Sequence, residues 1–144
     1  MNRRQILCQF CRNEKGATLV ETVLTLIVLL PILVGVIDIG RAFSAYIVLT
    51  NASREGARYA SRYPFHSEGI AAAVRQEAAT GGLVAEAVQV NIDGLNGPAG
   101  TPIAVTASYQ VNTICGSLVG LPSLQLHSTT RMVIFGLDTV VVGG

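Results

Sequence analysis

The sequence contains no tryptophan, and aromatic residues make up only 6% of it, so it offers no platform on which nucleic-acid bases could stack. Charge is also scarce: 10 Lys and Arg against 9 Asp and Glu leave a net +1, which is no nucleic-acid footprint. The 2 histidines, His66 and His127, stand apart from any serine or cysteine with a carboxylate in the spacing of a nucleophilic triad. No glycine-rich phosphate loop follows a strand pattern. Catalysis is not expected, and neither is a cofactor, a metal, a small-molecule substrate or a nucleic-acid partner. The 3 cysteines do not change this. Cys8-Gln9-Phe10-Cys11 has the spacing of half a zinc site but no second pair, and reads as two reduced thiols. Cys115 reads as a small buried hydrophobe, with a link between two copies as the alternative.

What the chain does have is one long apolar run. Between Ala17 and Ile37 the only charge is Glu21. About 20 such residues cross a hydrocarbon core of roughly 30 Å as a helix. Arg3, Arg4, Arg12 and Lys15 precede the run, opposed only by Glu14. Positive charge stays on the cytoplasmic side, so the N-terminus is expected in the cytoplasm and residues after about Asp38 beyond the membrane. The run is longer than a signal-peptide core of about 7–15 residues, and no convincing small-x-small cleavage site ends it.

Past the membrane the helical pattern continues. Ile39, Phe43, Tyr46, Ile47 and Thr50 recur at three- and four-residue steps as one apolar stripe. Arg54, Glu55, Arg58 and Arg62 follow as a solvated charged face, with Glu55 in reach of Arg58. Tyr63-Pro64 ends the helix. From Ala17 to Arg62 it would be about 69 Å long, with Pro31 expected to bend or open it. Gly35 and Gly40 offer close-packing points to neighbouring helices. A second helix is expected from Ser67 as N-cap, with Glu68 in its first turn, Ile70, Val74 and Ala78 buried, and Gly81-Gly82 as its stop before Leu83.

Period two then takes over. Val88, Val90 and Ile92 alternate with polar residues; Asp93 to Pro102 is a glycine- and proline-rich loop. Ile103, Val105, Ala107, Tyr109 and Val111 line one face of a second strand, and Leu124, Leu126, Ser128, Thr130, Met132 and Ile134 one side of a third. Three strands, each with one apolar face, predict an antiparallel meander that needs a cover. The outer half of the long helix and the second helix are available for it. The expected class is α+β: a long N-terminal transmembrane helix continuing into a soluble helix, a short second helix and a three-stranded sheet. Asn51-Ala52-Ser53 fits a glycosylation sequon but falls within a helix, and is read as coincidence.

Two motifs carry a resemblance. Lys15-Gly16-Ala17-Thr18-Leu19-Val20-Glu21 ahead of the apolar helix is similar to the processing site of type IV prepilin-like proteins. Asn51-Ala52-Ser53-Arg54-Glu55-Gly56-Ala57-Arg58-Tyr59-Ala60 resembles the second hallmark of the TadE-like family, minor pseudopilins of the tight-adherence (Flp) pilus machinery. The likeness runs from Gly16 to Tyr63, with Leu124 to Met132 similar to the family's last strand. Thr22 stands where the major Flp pilins and several pseudopilins carry tyrosine, which argues against this chain being the major pilin.

The resemblance implies a pilin-like fold and cleavage between Gly16 and Ala17 by a prepilin peptidase on the cytoplasmic side. Residues 1–16 would be a basic leader, 17–39 the transmembrane helix, 40–135 an extracytoplasmic domain and 136–144 a tail. Asn51, Arg54, Glu55, Gly56 and Arg58 are the family-motif positions. The implied partners are the peptidase, other pilin or pseudopilin subunits and the inner-membrane assembly platform. The implied location is the bacterial inner membrane, single-pass, or a surface filament. After cleavage Glu21 lies about 6 Å along the helix from the new α-amino group, which is largely cationic with a pKa near 8. A carboxylate at that depth needs a partner. It would either neutralise the Ala17 ammonium of a neighbouring subunit or cap its own helix. The competing function is a signal-anchored envelope binding protein that is neither processed nor polymerised; an anchored enzyme is disfavoured.

Overall fold

The computed structural model describes residues 3–114, 116, 120 and 123–135, with side chains from Gly16 onward. Cys115 and the tail from residue 136 lie outside the described residues, as do the side chains of Cys8 and Cys11. The chain order is α1 (Arg3–Arg62), α2 (Ser67–Thr80), a single 3₁₀ turn (Ala85–Ala87), β1 (Gln89–Asp93), β2 (Pro102–Asn112) and β3 (Ser123–Val133). This is the α+β architecture expected: one long helix, one short helix and a three-stranded antiparallel sheet.

Helix α1 runs for 60 residues, about 90 Å, and stays helical through Pro31. It begins within the basic N-terminal stretch, so no break in secondary structure marks Gly16 or Ile39. Its apolar part is rich in Val, Ile and Thr, residues that only weakly favour a helix in water. In lipid, however, a helix is the way a single segment satisfies its own backbone groups. The helix stops where Pro64 removes a donor, its last turn closed by the Tyr63 amide donating to the Tyr59 carbonyl at 3.0 Å.

The cap of α2 differs from expectation at one end. Ser67 is the first helical residue; His66 holds the N-cap position and offers no side-chain bond to the helix amides. The other end is a Schellman motif. The Leu83 amide donates to Ala78 O and the Gly82 amide to Ala79 O, both at 3.0 Å. Gly82 adopts φ +89°, so the left-handed position falls on it, one residue past Gly81.

The sheet order is β1-β2-β3, with Ile92 opposite Val105 and Val105 opposite Thr130. Helix α1 lies across β2 and β3, while α2 packs chiefly on α1. The core joins Leu49, Ala52, Ala57 and Ala60 of α1 to Ile70, Val74 and Ala78 of α2. From the sheet side come Val88, Ile103, Val105, Ala107 and Ile134.

Two expectations change here. The stripe of Ile39, Phe43, Tyr46 and Ile47 does not cover the sheet: these side chains are exposed, Phe43 by 65%. The covering face is made of smaller residues, Ala45, Ala52, Ser53, Gly56, Ala57 and Ala60, with Leu49 the one large side chain. Small residues let the helix axis approach the sheet and α2 together, and bulky residues on that face would hold them apart. On β3, Leu124 remains 46% exposed, because it lies at the end of the sheet beyond the reach of that face.

The domain therefore has two ends. At the base, Arg41, Ser44 and Ala45 of α1 line one cavity with Gly81–Leu83 and Tyr109–Asn112. At the tip, the α1–α2 turn meets the β1–β2 loop and the end of β3. There the Asn96 amide donates to Pro64 O at 3.2 Å and the Phe135 amide to Ser61 O at 2.9 Å.

Candidate functional site

The first motif sits on an isolated stretch of α1. Gly16, Ala17 and Glu21 are all exposed, and a Cβ built at Gly16 would meet nothing within 4 Å. Ala17 and Glu21 are one helical turn apart on the same face. Two threonines bind back to the backbone around them: Thr22 Oγ1 donates to Thr18 O at 2.8 Å and Thr25 Oγ1 to Glu21 O at 2.9 Å. From Leu19 to Ile37 the apolar side chains face outward, Leu19 being 67% and Ile37 57% exposed. A helix this apolar and this uncovered is a candidate membrane span.

The second motif divides by helical geometry into two faces. Ala52, Ser53, Gly56, Ala57 and Ala60 point into the domain and are buried. Gly56 sits where α1 crosses α2 and β2: a Cβ there would overlap Val74 Cγ2 and stand 3.2 Å from Val105 Cγ1. Only glycine permits that crossing. Asn51, Arg54 and Arg58 are exposed on the opposite side, and Arg62 extends the row one turn further. Arg58 Nη2 donates to Glu55 Oε1 at 2.9 Å, a pair that is 60% and 40% exposed. That hydrogen bond, and then the charge of Glu55, raise the Arg58 pKa above its usual value.

The two motifs are not brought together. Gly16 and Asn51 lie about 50 Å apart along one helix, so they form two surfaces.

Three further features had little signal in the sequence. Ser53 is completely buried, and its Oγ lies 2.8 Å from Thr130 Oγ1 and 3.2 Å from Ser128 Oγ. It also donates to Thr50 O at 2.9 Å. Its single proton is committed to that carbonyl, so it accepts the protons of both β3 hydroxyls. The in-facing polar positions of β3 were the only hint. At the tip, Tyr59 Oη and His66 Nδ1 are 3.2 Å apart, and Tyr59 also packs on Tyr63 with ring centroids 5.1 Å apart. They flank a groove of about 490 Å³, lined by Tyr63, Phe65, Pro98 and Phe135 with Arg62 and His66. His127 is exposed on the outer face of β3. Asp38 is buried at the base, with Arg41 Nη1 at 3.9 Å. Among the described residues no group of three or more His, Cys, Asp or Glu is arranged to hold a metal.

A single uncovered apolar helix that runs on to become the spine of a small α+β domain defines a helix-anchored α+β class. A family model described as TadE-like protein matches residues 16–58, from the glycine of the first motif to the second arginine of the second. Residues 16–58 are a TadE-like segment, in agreement with the resemblance seen in the sequence. The match points to a Tad pilus-related protein. No curated protein and no solved structure matches the chain.

Proposed function

We propose that this chain is a minor pseudopilin of a Tad-type, type IV-like secretion system, which helps to initiate or assemble an adhesive filament. One observation carries the reading. The family match starts at Gly16, just ahead of the exposed apolar stretch of α1, and ends within the motif that seats that helix on its domain. In this reading a prepilin peptidase cuts between Gly16 and Ala17 and removes residues 1–16. Residues 17–39 then cross the inner membrane and residues 40–135 form the extracytoplasmic domain, followed by a tail over 136–144. The basic residues before the run favour a cytoplasmic N-terminus. Glu21 pairs with the Ala17 ammonium of a neighbouring subunit, and the exposed row of Asn51, Arg54 and Arg58 faces other subunits or the assembly platform.

The test is the intact mass of the protein recovered from membranes of a host with its own prepilin peptidase, for the wild type and for Gly16→Leu. The expected result is loss of the first sixteen residues from the wild type and their retention in the variant. Full-length protein in both would overturn the reading and leave an anchored binding protein in its place.

A further inference from the structure

The base of the domain leaves large apolar side chains open, and its height above the membrane can be read from α1. Gly56 of α1 lies opposite Val105 of β2, where a Cβ would stand 3.2 Å from Val105 Cγ1, and Arg41 of α1 shares a cavity with Asn112 of β2. The two elements therefore run antiparallel at matched height. The fifteen residues from Gly56 to Arg41 descend about 22 Å, and the seven from Val105 to Asn112 about 23 Å. Ile114, two residues past Asn112, is 54% exposed; Leu124, paired with Val111 across the sheet, is 46% exposed.

The bilayer reaches the same level. A hydrocarbon core of roughly 30 Å filled by the run from Ala17 ends near Ile37, and the headgroup layer adds about 6 Å, or four helical residues. That places Asp38 to Arg41 in the headgroups, with the base of the sheet beside them. The exposed faces of Ile39 and Phe43 continue the lipid-facing surface of the anchor to this level, with 71% and 65% of each open. Arg41, whose side chain is 53% exposed, stands where a lipid phosphate would meet it. The sequence joining β2 to β3 adds no charge: none occurs between Gln110 and Leu126.

We infer that the base of the sheet, at Ile114 and Leu124, rests in the headgroup layer of the membrane that α1 enters, so that the phospholipid surface is a second packing partner of the domain. The apolar side chains are then withdrawn from water, and the domain is held upright against the bilayer by two contacts. This inference rests on the reading of α1 as a membrane anchor.

The absence of tryptophan makes the test clean. Single variants Ile114→Trp, Leu124→Trp, Leu29→Trp and Phe135→Trp of the full chain are reconstituted into phosphatidylcholine vesicles. Two matched sets of vesicles contain lipid brominated near the glycerol end, which reaches positions 114 and 124, or near the methyl end of its acyl chains, which reaches position 29. The expected result is a blue-shifted emission that loses intensity to bromine at positions 29, 114 and 124, with position 135 at the tip unaffected. Quenching at 29 without quenching at 114 and 124 overturns the inference and leaves the anchor intact. No quenching at 29 overturns the anchor and the inference together. Quenching at 135 as well means that the domain lies flat, which also overturns it.

Discussion

The Oγ of Ser53 and the Oγ1 of Thr130 lie 2.8 Å apart, joining the C-terminal part of α1 to the second half of β3 across a largely apolar interface. The contact is short, and Ser53 is fully enclosed. Replacing Ser53 with alanine removes the acceptor for both β3 hydroxyls and leaves them facing a void. Chemical denaturation of the detergent-solubilised full chain, followed by tyrosine fluorescence, is expected to show a loss of about 1–3 kcal/mol. Ser53→Ala combined with Thr130→Val restores part of this, because the orphaned hydroxyl goes with its partner. Equal losses in the single and double variants would contradict the paired geometry.

Gly56 makes a sharper prediction. Gly56→Ala drives a methyl group into Val74, a side chain with one stiff rotor. The expected cost is about 1–3 kcal/mol, typical of an overpacked core. Adding Val74→Ala opens space for that methyl group, so the double variant loses less than the two single changes summed. Strict additivity in the denaturation midpoints would show that the helix crossing is looser than described.

Gly82 tests the stop of α2. Its φ of +89° costs an L-residue about 1–2 kcal/mol, so Gly82→Ala is expected to lower stability by that order, with Gly82→Asn between the two. The same alanine change at Gly81, where φ is −79°, meets no backbone penalty but runs into Val48. Hydrogen exchange at the last amides of α2 separates the cases. Gly82→Ala frays the Schellman bonds, whereas Gly81→Ala displaces α2 from α1.

The exposed pair Glu55–Arg58 is expected to contribute nothing measurable to stability, being solvated at 60% and 40% exposure. Its pH dependence has a definite sign. The Arg58 pKa is raised on folding, so any contribution is complete below the ordinary guanidinium value and is lost only as pH climbs past the raised one. Glu55→Gln therefore leaves the denaturation midpoint unchanged through neutral pH, yet impairs filament assembly if the row is a subunit contact. A shift in midpoint with normal assembly would reverse both halves of this prediction.

Glu21 and Ala17 are one turn apart on an uncovered face, and a subunit contact there can be trapped. A Glu21→Cys copy and a differently tagged Ala17→Cys copy, coexpressed and oxidised in the membrane, are expected to give a product carrying both tags. Products with only one tag would favour a carboxylate that caps its own helix.

Much of this architecture is legible because its signals are local. The 3.6 and 2.0 periodicities, Pro64 after Tyr63, and Ile70, Val74 and Ala78 on one stripe each report on a few neighbouring residues. The face that α1 turns to the sheet is a different matter. Bulk points to Ile39, Phe43 and Ile47, whereas Ala52, Gly56 and Ala57 are buried; what decides it is the closeness of approach between elements, which a helical wheel does not record. Ser53 reads as part of a sequon on a helix, and only the placement of Ser128 and Thr130 opposite it reveals a buried node. The tip groove is assembled from the α1–α2 turn, the β1–β2 loop and Phe135, segments distant in sequence. The motif at Gly16 is the reverse case: its residues are plain in the sequence and lie on α1 well before the stretch that packs in the core.

The single helix that joins anchor to tip also acts as a lever. Arg41 at the base and Arg62 beside the tip groove are separated by about 32 Å of unbroken α1. A tilt of about 20°, ordinary for a helix in a bilayer, swings the groove sideways by about 11 Å without altering any contact inside the domain. With α1 as a membrane anchor, any change in its tilt would be converted into displacement of Tyr63, Phe65 and Phe135, and a base seated on the bilayer would restrain that swing.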